Sequence, residues 1–268
     1  MTDPVDVKSL TSAPNFEGQV ALVTGGGKGL GRACVIALAA AGAKVIAVSR
    51  TESDLQEVQS HNPDNIDYWV EDVLADDLYP RIEGLDQLDI LVGCAGGNKP
   101  QPISEITVET IDWLLDLNVR AIFRTSQSAA KVMLKQGSGS IVNMGSDAGL
   151  QGYAGMSTYG TTKAAVIHMT KCMALETADQ NIRVNVICPG DIDTPMQDAG
   201  YGDSDMSRDE MLASVAATIP MKRHGQPVEI ARTVMYLASD AAKFMHGNIC
   251  SVDGGAAAGR SFIMDEAS

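Results

Sequence analysis

Three residues of types that move protons lie close together in the second half of the sequence. Ser146 precedes a Tyr-x-x-x-Lys pair formed by Tyr159 and Lys163. Residues four apart share one face of a helix, so the tyrosine hydroxyl and the lysine ammonium would be neighbours. A positive charge there lowers the pKa of the tyrosine, whose free value of about 10 is too high for proton exchange at neutral pH. The spacing predicts a tyrosine acid or base, with Ser146 placed to hydrogen-bond the reacting oxygen.

A glycine-rich turn upstream predicts a site for a dinucleotide phosphate. It spans residues 24–31 and directly follows the apolar run Val20 to Val23. Glycines let the backbone approach a pyrophosphate, and the helix that follows presents free N–H groups and the positive end of its dipole. The residues predicted to bind the cofactor here are Gly25, Gly27, Lys28, Gly29, Leu30 and Gly31. With the tyrosine and lysine, this turn predicts hydride transfer between a nicotinamide cofactor and a ketone or secondary alcohol.

The end of the second apolar run indicates which nicotinamide cofactor is used. An acidic residue at this position would accept hydrogen bonds from the ribose 2′-hydroxyl of NAD. Here the residues are Ser49 and Arg50, and Lys28 can reach the same place from the glycine turn. Arginine pairs with phosphate through a planar fork. Two cations and no carboxylate predict NADP(H) rather than NAD(H).

Short apolar runs alternate with helical segments along the chain, which predicts an α/β fold. About seven parallel strands would form a doubly wound sheet with helices on both faces. We expect one catalytic domain over 16–268, a flexible tail over 1–15, and a polar substrate lid over about 196–220. The predicted strands are 20–23, 44–48, 66–70, 89–92, 140–144, 183–187 and 248–252, and the predicted helices are 30–41, 52–60, 108–134, 159–177 and 228–239.

Composition limits the classes of partner. The chain is 45% hydrophobic with a formal net charge of −14. Such acidity disfavours nucleic acid and anionic membranes. The first residues lack the basic start and apolar middle of a signal peptide, so we expect a cytoplasmic protein. The five cysteines and four histidines show no metal-ligand spacing, so no metal is predicted.

These motifs, in this order, resemble the short-chain dehydrogenase/reductase family over roughly residues 16–258. Within it, the segment 43–55 is most similar to NADPH-dependent carbonyl and L-xylulose reductases. The resemblance implies a single-domain Rossmann fold, a small carbonyl or alcohol substrate and a homotetramer. Its further motifs are Asp72-Val73, Ala95-Gly96, Asn118-Val119, Pro189-Gly190 and Thr194-Pro195-Met196.

The resemblance also implies roles for single residues. Asp72 and the neighbouring Val73 would bind the adenine edge, and Ala95 and Gly96 would bring the backbone close to the cofactor. Lys163 would also hold the nicotinamide ribose, and Asn118 would anchor a water between that lysine and solvent. The nicotinamide side would be bound by Pro189, Gly190, Ile192 and Thr194. One departure is Gly93-Cys94, where the family usually carries two asparagines that brace the central strands.

The substrate pocket is less well defined by the sequence. Its candidate residues besides Ser146 are Asn98, Asp147, Tyr153 and Met196. A carboxylate beside the catalytic serine favours a polyol or hydroxyketone over an anionic substrate. The alternative is that Asp147 only hydrogen-bonds to nearby backbone.

Two other functions share part of this pattern. A β-ketoacyl-carrier-protein reductase has the same motifs and needs a basic surface for its acidic carrier. Arg120, Arg124, Lys131 and Lys135 would form a stripe within about 60° on one helix face. A non-catalytic NADP-binding regulator is the other alternative, but this chain keeps the catalytic tyrosine and lysine that such proteins lose.

Overall fold

Seven parallel strands form a single sheet. The computed structural model describes residues 13–196 and 207–259. The strands are β1 (Val20–Thr24), β2 (Lys44–Ser49), β3 (Ile66–Val70), β4 (Ile90–Gly93), β5 (Gly139–Met144), β6 (Ile182–Pro189) and β7 (Ile249–Val252). Their order is β3-β2-β1-β4-β5-β6-β7, with every neighbouring pair parallel. The predicted α/β class and doubly wound parallel sheet are confirmed.

Helices cover both faces of this sheet. They are α1 (Gly29–Ala40), α2 (Glu52–Ser60), α3 (Leu78–Glu83), α4 (Val108–Leu115), α5 (Ala121–Gln136), α6 (Ser157–Thr177), α7 (Arg208–Thr218) and α8 (Pro227–Ala238). On one face, α1, α2 and α8 pack buried side chains against the strands. On the other face, α3, α5 and α6 do so. Strands buried on both sides are apolar throughout, which is why short apolar runs predicted them.

The structure departs from the predicted elements in the middle of the chain. The helix predicted over 108–134 is interrupted by a π-helical turn, Asp116–Arg120, between α4 and α5. Helix α3 was not predicted because it has only six residues and carries Pro80 in its first turn. Helix α7 lies in the predicted lid. The predicted tail (1–15) and lid (196–220) fall partly outside the described residues.

The strand order reverses between β1 and β4, and this reversal positions the site. In open parallel sheets, ligands bind beyond the carboxyl ends of the strands at such a point. The glycine turn follows β1, Gly96 follows β4, Ser146 follows β5 and Gly190 follows β6. Within the described part of the chain, none of the helices has the length and apolar character needed to cross a bilayer.

Candidate active site

The turn after β1 can be built only with glycine at several positions. Gly25 and Gly29 have φ angles of +70° and +53°. A Cβ on Gly31 would lie 2.2 Å from the carbonyl oxygen of Gly25, so α1 packs directly on the turn. A Cβ on Gly25 would lie 3.0 Å from the backbone of Ala95. The turn therefore lies tightly against both α1 and the segment after β4.

The amino end of α1 has the character of a phosphate site. Its first turn contains no acidic residue, and the side chain of Lys28 at the N-cap does not cap it. The free N–H groups and the helix dipole favour an anion at this end. A cleft of about 540 Å³ lies alongside. The glycine turn lines it together with charged side chains of both signs, Lys28, Arg32, Asp54, Glu57 and Asp193. The residues present fit a dinucleotide phosphate.

The two predicted cations, Arg50 after β2 and Lys28 in the glycine turn, each pair with a carboxylate. Lys28 lies 3.2 Å from Asp54, and Arg50 lies 3.9 Å from Asp72. The position at the end of β2 thus carries no carboxylate of its own, but Asp54 and Asp72 reach the two cations from elsewhere in the chain. Asp54 lies in the first turn of α2, which returns onto the glycine turn. Ser49 also lies beside the glycine turn, because a Cβ on Gly27 would be 3.0 Å from the Ser49 Oγ.

Tyr159 and Lys163 lie one turn apart on α6, as the spacing predicts. The Lys163 ammonium is 5.7 Å from the centre of the Tyr159 ring and donates a 3.0 Å hydrogen bond to the carbonyl of Met144. Desolvation lowers the pKa of Lys163 to about 8. Desolvation also raises the pKa of Tyr159 to about 12, against the smaller, opposite effect of the nearby Ser146 hydroxyl. The expected lowering of the Tyr159 pKa by Lys163 is therefore wrong, because burial dominates.

Ser146 follows β5 and begins a short 3₁₀ turn, Asp147–Gly149. Its Oγ accepts a hydrogen bond from the backbone N–H of Ala148 and donates one to Asp147 Oδ1, each 3.1 Å long. The hydroxyl is thus held by the first residues of the turn. Asp147 accepts hydrogen bonds from the side chains of Ser146 and Tyr153, so it does not hydrogen-bond only to nearby backbone.

Asn118 lies in the π-helical turn and is fully buried. Its Oδ1 accepts from the N–H of Gly97 at 2.8 Å, and its Nδ2 donates to the Gly97 carbonyl at 2.9 Å and to Thr162 Oγ1 at 3.0 Å. Both amide hydrogens are therefore used within the protein. The side chain ties the segment after β4 to α6, next to Gly96, where an added Cβ would lie 3.1 Å from Asn118 Oδ1 and 3.5 Å from Lys163 Nζ.

The predicted nicotinamide-binding residues lie at and just after the carboxyl end of β6. Pro189 ends β6, and a Cβ on Gly190 would lie 2.8 Å from the Cα of Asp253. Ile192 is buried and forms a parallel bridge to Gly225. Thr194 lies opposite the glycine turn, with its Cβ 3.6 Å from the position that a Cβ on Gly29 would take.

Asp72 and Val73 are held in a loop after β3. Asp72 Oδ1 accepts from the N–H of Leu74 at 2.9 Å. The Val73 carbonyl accepts from the hydroxyl of Tyr79, whose ring is covered by the Arg124 guanidinium at 3.7 Å. The two residues expected to contact the adenine therefore lie in a loop that is held by hydrogen bonds.

The candidate substrate residues occupy different surroundings. Asn98 Nδ2 contacts Met156 Sδ at 3.5 Å, and its Oδ1 is buried with no hydrogen-bond partner among the described residues. Tyr153 donates to Asp147 Oδ2 at 2.5 Å. Met196 is 44% exposed at the end of the first described range. Asn98 thus keeps an acceptor that a substrate hydroxyl could use.

The basic stripe predicted on one helix is largely paired with acidic side chains. Arg120 lies 2.9 Å from Asp116, Arg124 lies 2.5 Å from Asp76, and Lys131 lies 2.9 Å from Glu83. Arg120 belongs to the π-helical turn, while the others lie on α5. These pairs reduce the field that the stripe presents to an acidic partner.

Two threonines contribute to the site without having been predicted from the sequence. Thr24 Oγ1 accepts from the N–H groups of Cys94 and Ala95 at 3.1 and 3.2 Å. It thereby joins β1 to the segment where the family usually has its two asparagines. Thr162 joins Asn118 to α6 and donates to the carbonyl of Tyr159 at 2.7 Å. Thr162 could have been suspected, since it lies between Tyr159 and Lys163 on the buried side of α6.

Comparisons with known proteins agree with this geometry. Residues 19–203 match the family model described as short chain dehydrogenase. L-xylulose reductase of Bos taurus is 36% identical over 239 residues, covering 89% of this chain and 96% of its own length. The 3-oxoacyl-acyl-carrier-protein reductase of Thermotoga maritima is 32% identical over 248 residues, covering 90% and 98%. A solved variant of the actinorhodin polyketide ketoreductase with NADPH has a TM-score of 0.82 at 30% identity, covering 89% and 97%.

Proposed function

Because the chain belongs to the short-chain dehydrogenase family and is thus an oxidoreductase, we propose that it transfers a hydride between NADP(H) and a ketone or secondary alcohol. The observation that carries the proposal is the position of Ser146, Tyr159 and Lys163 at the carboxyl ends of the strands, beside the glycine turn. The proposed substrates are small carbonyl compounds, polyols or sugars.

The proposed chemistry divides between cofactor and protein. The nicotinamide, when bound, supplies or accepts the hydride. The Tyr159 hydroxyl gives its proton to the developing alkoxide, and Lys163 holds a positive charge close to that exchange. Ser146 hydrogen-bonds the substrate oxygen. Asn118 acts through position, because it fixes the backbone at Gly97 against α6.

The preference for NADP(H) is supported by the cations near the end of β2. A 2′-phosphate would compete with Asp54 and Asp72 for Lys28 and Arg50. Both cations are more than 60% exposed at the side chain, so they can turn toward a ligand at little cost. Charge-assisted bonds to a doubly charged phosphate are stronger than these single surface ion pairs.

A steady-state assay of NADPH oxidation tests the function. The panel comprises a ketose, an α-diketone, a cyclic ketone and an acetoacetyl thioester, each repeated with NADH. The Tyr159→Phe variant is the background control, since it removes the proton donor and keeps the ring. Turnover that is lost in this variant supports the proposal. Turnover that persists in it, or its absence from the wild type with every compound and both cofactors, would overturn the proposal.

A β-ketoacyl-carrier-protein reductase is the second candidate, because the Thermotoga maritima relative carries that activity in its name. The structure weakens its main support, since Arg120, Arg124 and Lys131 are engaged with acidic side chains. The thioester in the panel separates the two candidates. A preference for the thioester over every free ketone would favour the carrier-protein substrate.

We also propose a homotetramer. Apolar side chains on α4 and α5 are exposed in the single chain, among them Trp113 at 40% and Phe123 at 45%. Large exposed apolar groups are typical of surfaces that pack against other copies. Light scattering coupled to size exclusion gives the mass directly, and a monomer at micromolar concentration would contradict the proposal.

A further inference from the structure

A buried carboxylate lies next to the catalytic serine and accepts hydrogen bonds from two hydroxyls. Asp147 is 6% exposed. Its Oδ1 accepts from Ser146 at 3.1 Å, and its Oδ2 accepts from Tyr153 at 2.5 Å. Gln151 Nε2 in turn donates to the Tyr153 hydroxyl at 2.6 Å. The two hydroxyls fix the orientation of the carboxylate, and Gln151 holds the hydroxyl of Tyr153.

Hydrogen bonds rather than a cation hold this carboxylate in place. Within the described residues, no lysine or arginine forms an ion pair with Asp147. Burial raises the pKa of Asp147, whereas the hydrogen bonds from Tyr153 and Ser146 lower it. The backbone N–H of Ala148 acts in the same direction as these two hydroxyls. A buried acceptor that loses one of its donors is destabilised.

The hydrogen bond from Ser146 to Asp147 uses the hydroxyl hydrogen of Ser146 that the proposed reaction requires. A serine hydroxyl has one hydrogen, and that of Ser146 is directed to Asp147 Oδ1. The Ser146 oxygen meanwhile accepts from the N–H of Ala148. A substrate carbonyl can receive the serine hydrogen only if Ser146 turns away from Asp147, which removes one donor from the carboxylate.

We infer that Asp147 selects substrates with a hydroxyl on the carbon next to the reacting carbonyl. The inference rests on the proposed function. The substrate hydroxyl donates to Asp147 Oδ1 and replaces Ser146, whose hydrogen then points to the carbonyl oxygen. No covalent bond changes in this exchange, and the number of donors to the carboxylate is preserved. The two oxygens of a hydroxyketone lie on adjacent carbons, which suits acceptor and donor atoms 3.1 Å apart.

A ketone that lacks the hydroxyl cannot complete the exchange. Sites built to hydrogen-bond a substrate hydroxyl reject the analogue without it far more strongly than apolar pockets reject a missing methylene. In the oxidation direction, the same contact selects vicinal diols over simple secondary alcohols. The carboxylate also disfavours substrates with a negative charge near the reacting carbon.

The test compares a matched pair, 1-hydroxy-2-butanone and 2-butanone, by kcat/KM with NADPH. We expect the wild type to favour the hydroxyketone by about 100-fold or more. Asp147→Leu, which removes both acceptor oxygens at similar size, should reduce that ratio to below about 10. Asp147→Asn keeps one acceptor oxygen without the charge and should give an intermediate ratio, because bonds to charged acceptors are about twice as strong.

The outcomes separate this inference from the proposed function. Turnover of both ketones at similar kcat/KM by the wild type would overturn the inference and leave the proposed function intact. A high ratio that survives in Asp147→Leu, or a loss equal for both ketones, would also overturn it. No turnover of any ketone with either cofactor would overturn the proposed function itself. NADPH fluorescence titration checks the fold of each variant, and Asp147→Asn decides the question if Asp147→Leu fails to bind.

Discussion

The ammonium of Lys163 donates a hydrogen bond to the main-chain carbonyl of Met144, 3.0 Å away. This bond joins α6 to the last residue of β5, directly before the segment that carries Ser146. Lys163 is 4% exposed, and this hydrogen bond fixes the position of its ammonium group. Desolvation by burial outweighs the opposite effects of Cys94 and Cys188 and lowers the pKa of Lys163 to about 8.

The first prediction is a loss of ketone reduction as pH rises through about 8. Tyr159, with a pKa of about 12, stays protonated over this range and remains a proton donor. Lys163, with a pKa of about 8, loses its charge there. Below that value the protonated form dominates and kcat/KM should be flat. Above it, kcat/KM for reduction should fall up to tenfold per pH unit, and a pH–rate profile from 6 to 10 measures this.

Lys163→Arg is the matched variant for this profile. A guanidinium stays charged over the whole range, so the limb near pH 8 should vanish even if the variant is much slower. A fall near pH 8 that is the same in both proteins would assign it to another group. A wild-type profile that stays flat to pH 10 would contradict the assignment to Lys163.

The second prediction concerns the cofactor. Ser49→Asp combined with Arg50→Asp should shift the kcat/KM ratio of NADPH to NADH toward NADH by about 100-fold, since a carboxylate repels the 2′-phosphate and accepts from the ribose hydroxyl. Lys44→Asp, which adds negative charge at the opposite end of β2, is the control for long-range electrostatic effects. If the control shifts the ratio as much as the double variant does, the effect is general electrostatics.

The sequence was most informative where one residue pattern determines one element. Tyr159 and Lys163 could be placed together because helix α6 has a fixed period. The strands could be placed because burial on both faces makes them apolar. The glycine turn could be placed because positive φ and close packing at Gly25 and Gly31 require glycine.

Contacts between elements distant in sequence could not be predicted from one chain. Asp54 reaches Lys28 only because α2 folds back on the glycine turn. Asp76 and Glu83 pair with Arg124 and Lys131 of α5 only because α3 and the residues just before it pack beside that helix. Helix α3 itself has too few residues to show a periodic apolar pattern. The π-helical turn around Asn118 keeps an apolar pattern that is indistinguishable from a continuous helix.

The third prediction isolates the positioning role of Thr162. Thr162→Val keeps the shape but leaves an amide hydrogen of the buried Asn118 without an acceptor, so we expect a loss of about 1–3 kcal/mol in the free energy of unfolding. Because Asn118 fixes the backbone at Gly97, kcat should fall about tenfold with little change in KM. Thr161→Val, on the exposed side of the same turn, is the control and should change stability by less than about 0.5 kcal/mol. Equal effects of the two substitutions would contradict this role.

The last prediction concerns Arg183, which lies near the start of β6, at the end of the sheet opposite the active site. Its guanidinium donates to the carbonyls of Leu237, Ala238, Ser239 and Ala242 at 2.6 to 3.2 Å, and so satisfies the end of α8. A cation is favoured at a helix carboxyl end, where carbonyl groups lack partners. Arg183→Met removes a charged donor from all four carbonyls, of which those of Leu237, Ser239 and Ala242 keep another donor. We expect the free energy of unfolding to fall by about 1–3 kcal/mol. Urea denaturation measures this loss of stability. The control is Arg232→Met on the exposed side of α8, which should stay within about 0.5 kcal/mol of the wild type.

Because Arg183 lies at the start of β6 and the reaction takes place beyond the other end of that strand, kcat of the folded Arg183→Met variant should not change. A loss of kcat without loss of stability would instead couple the end of α8 to the active site.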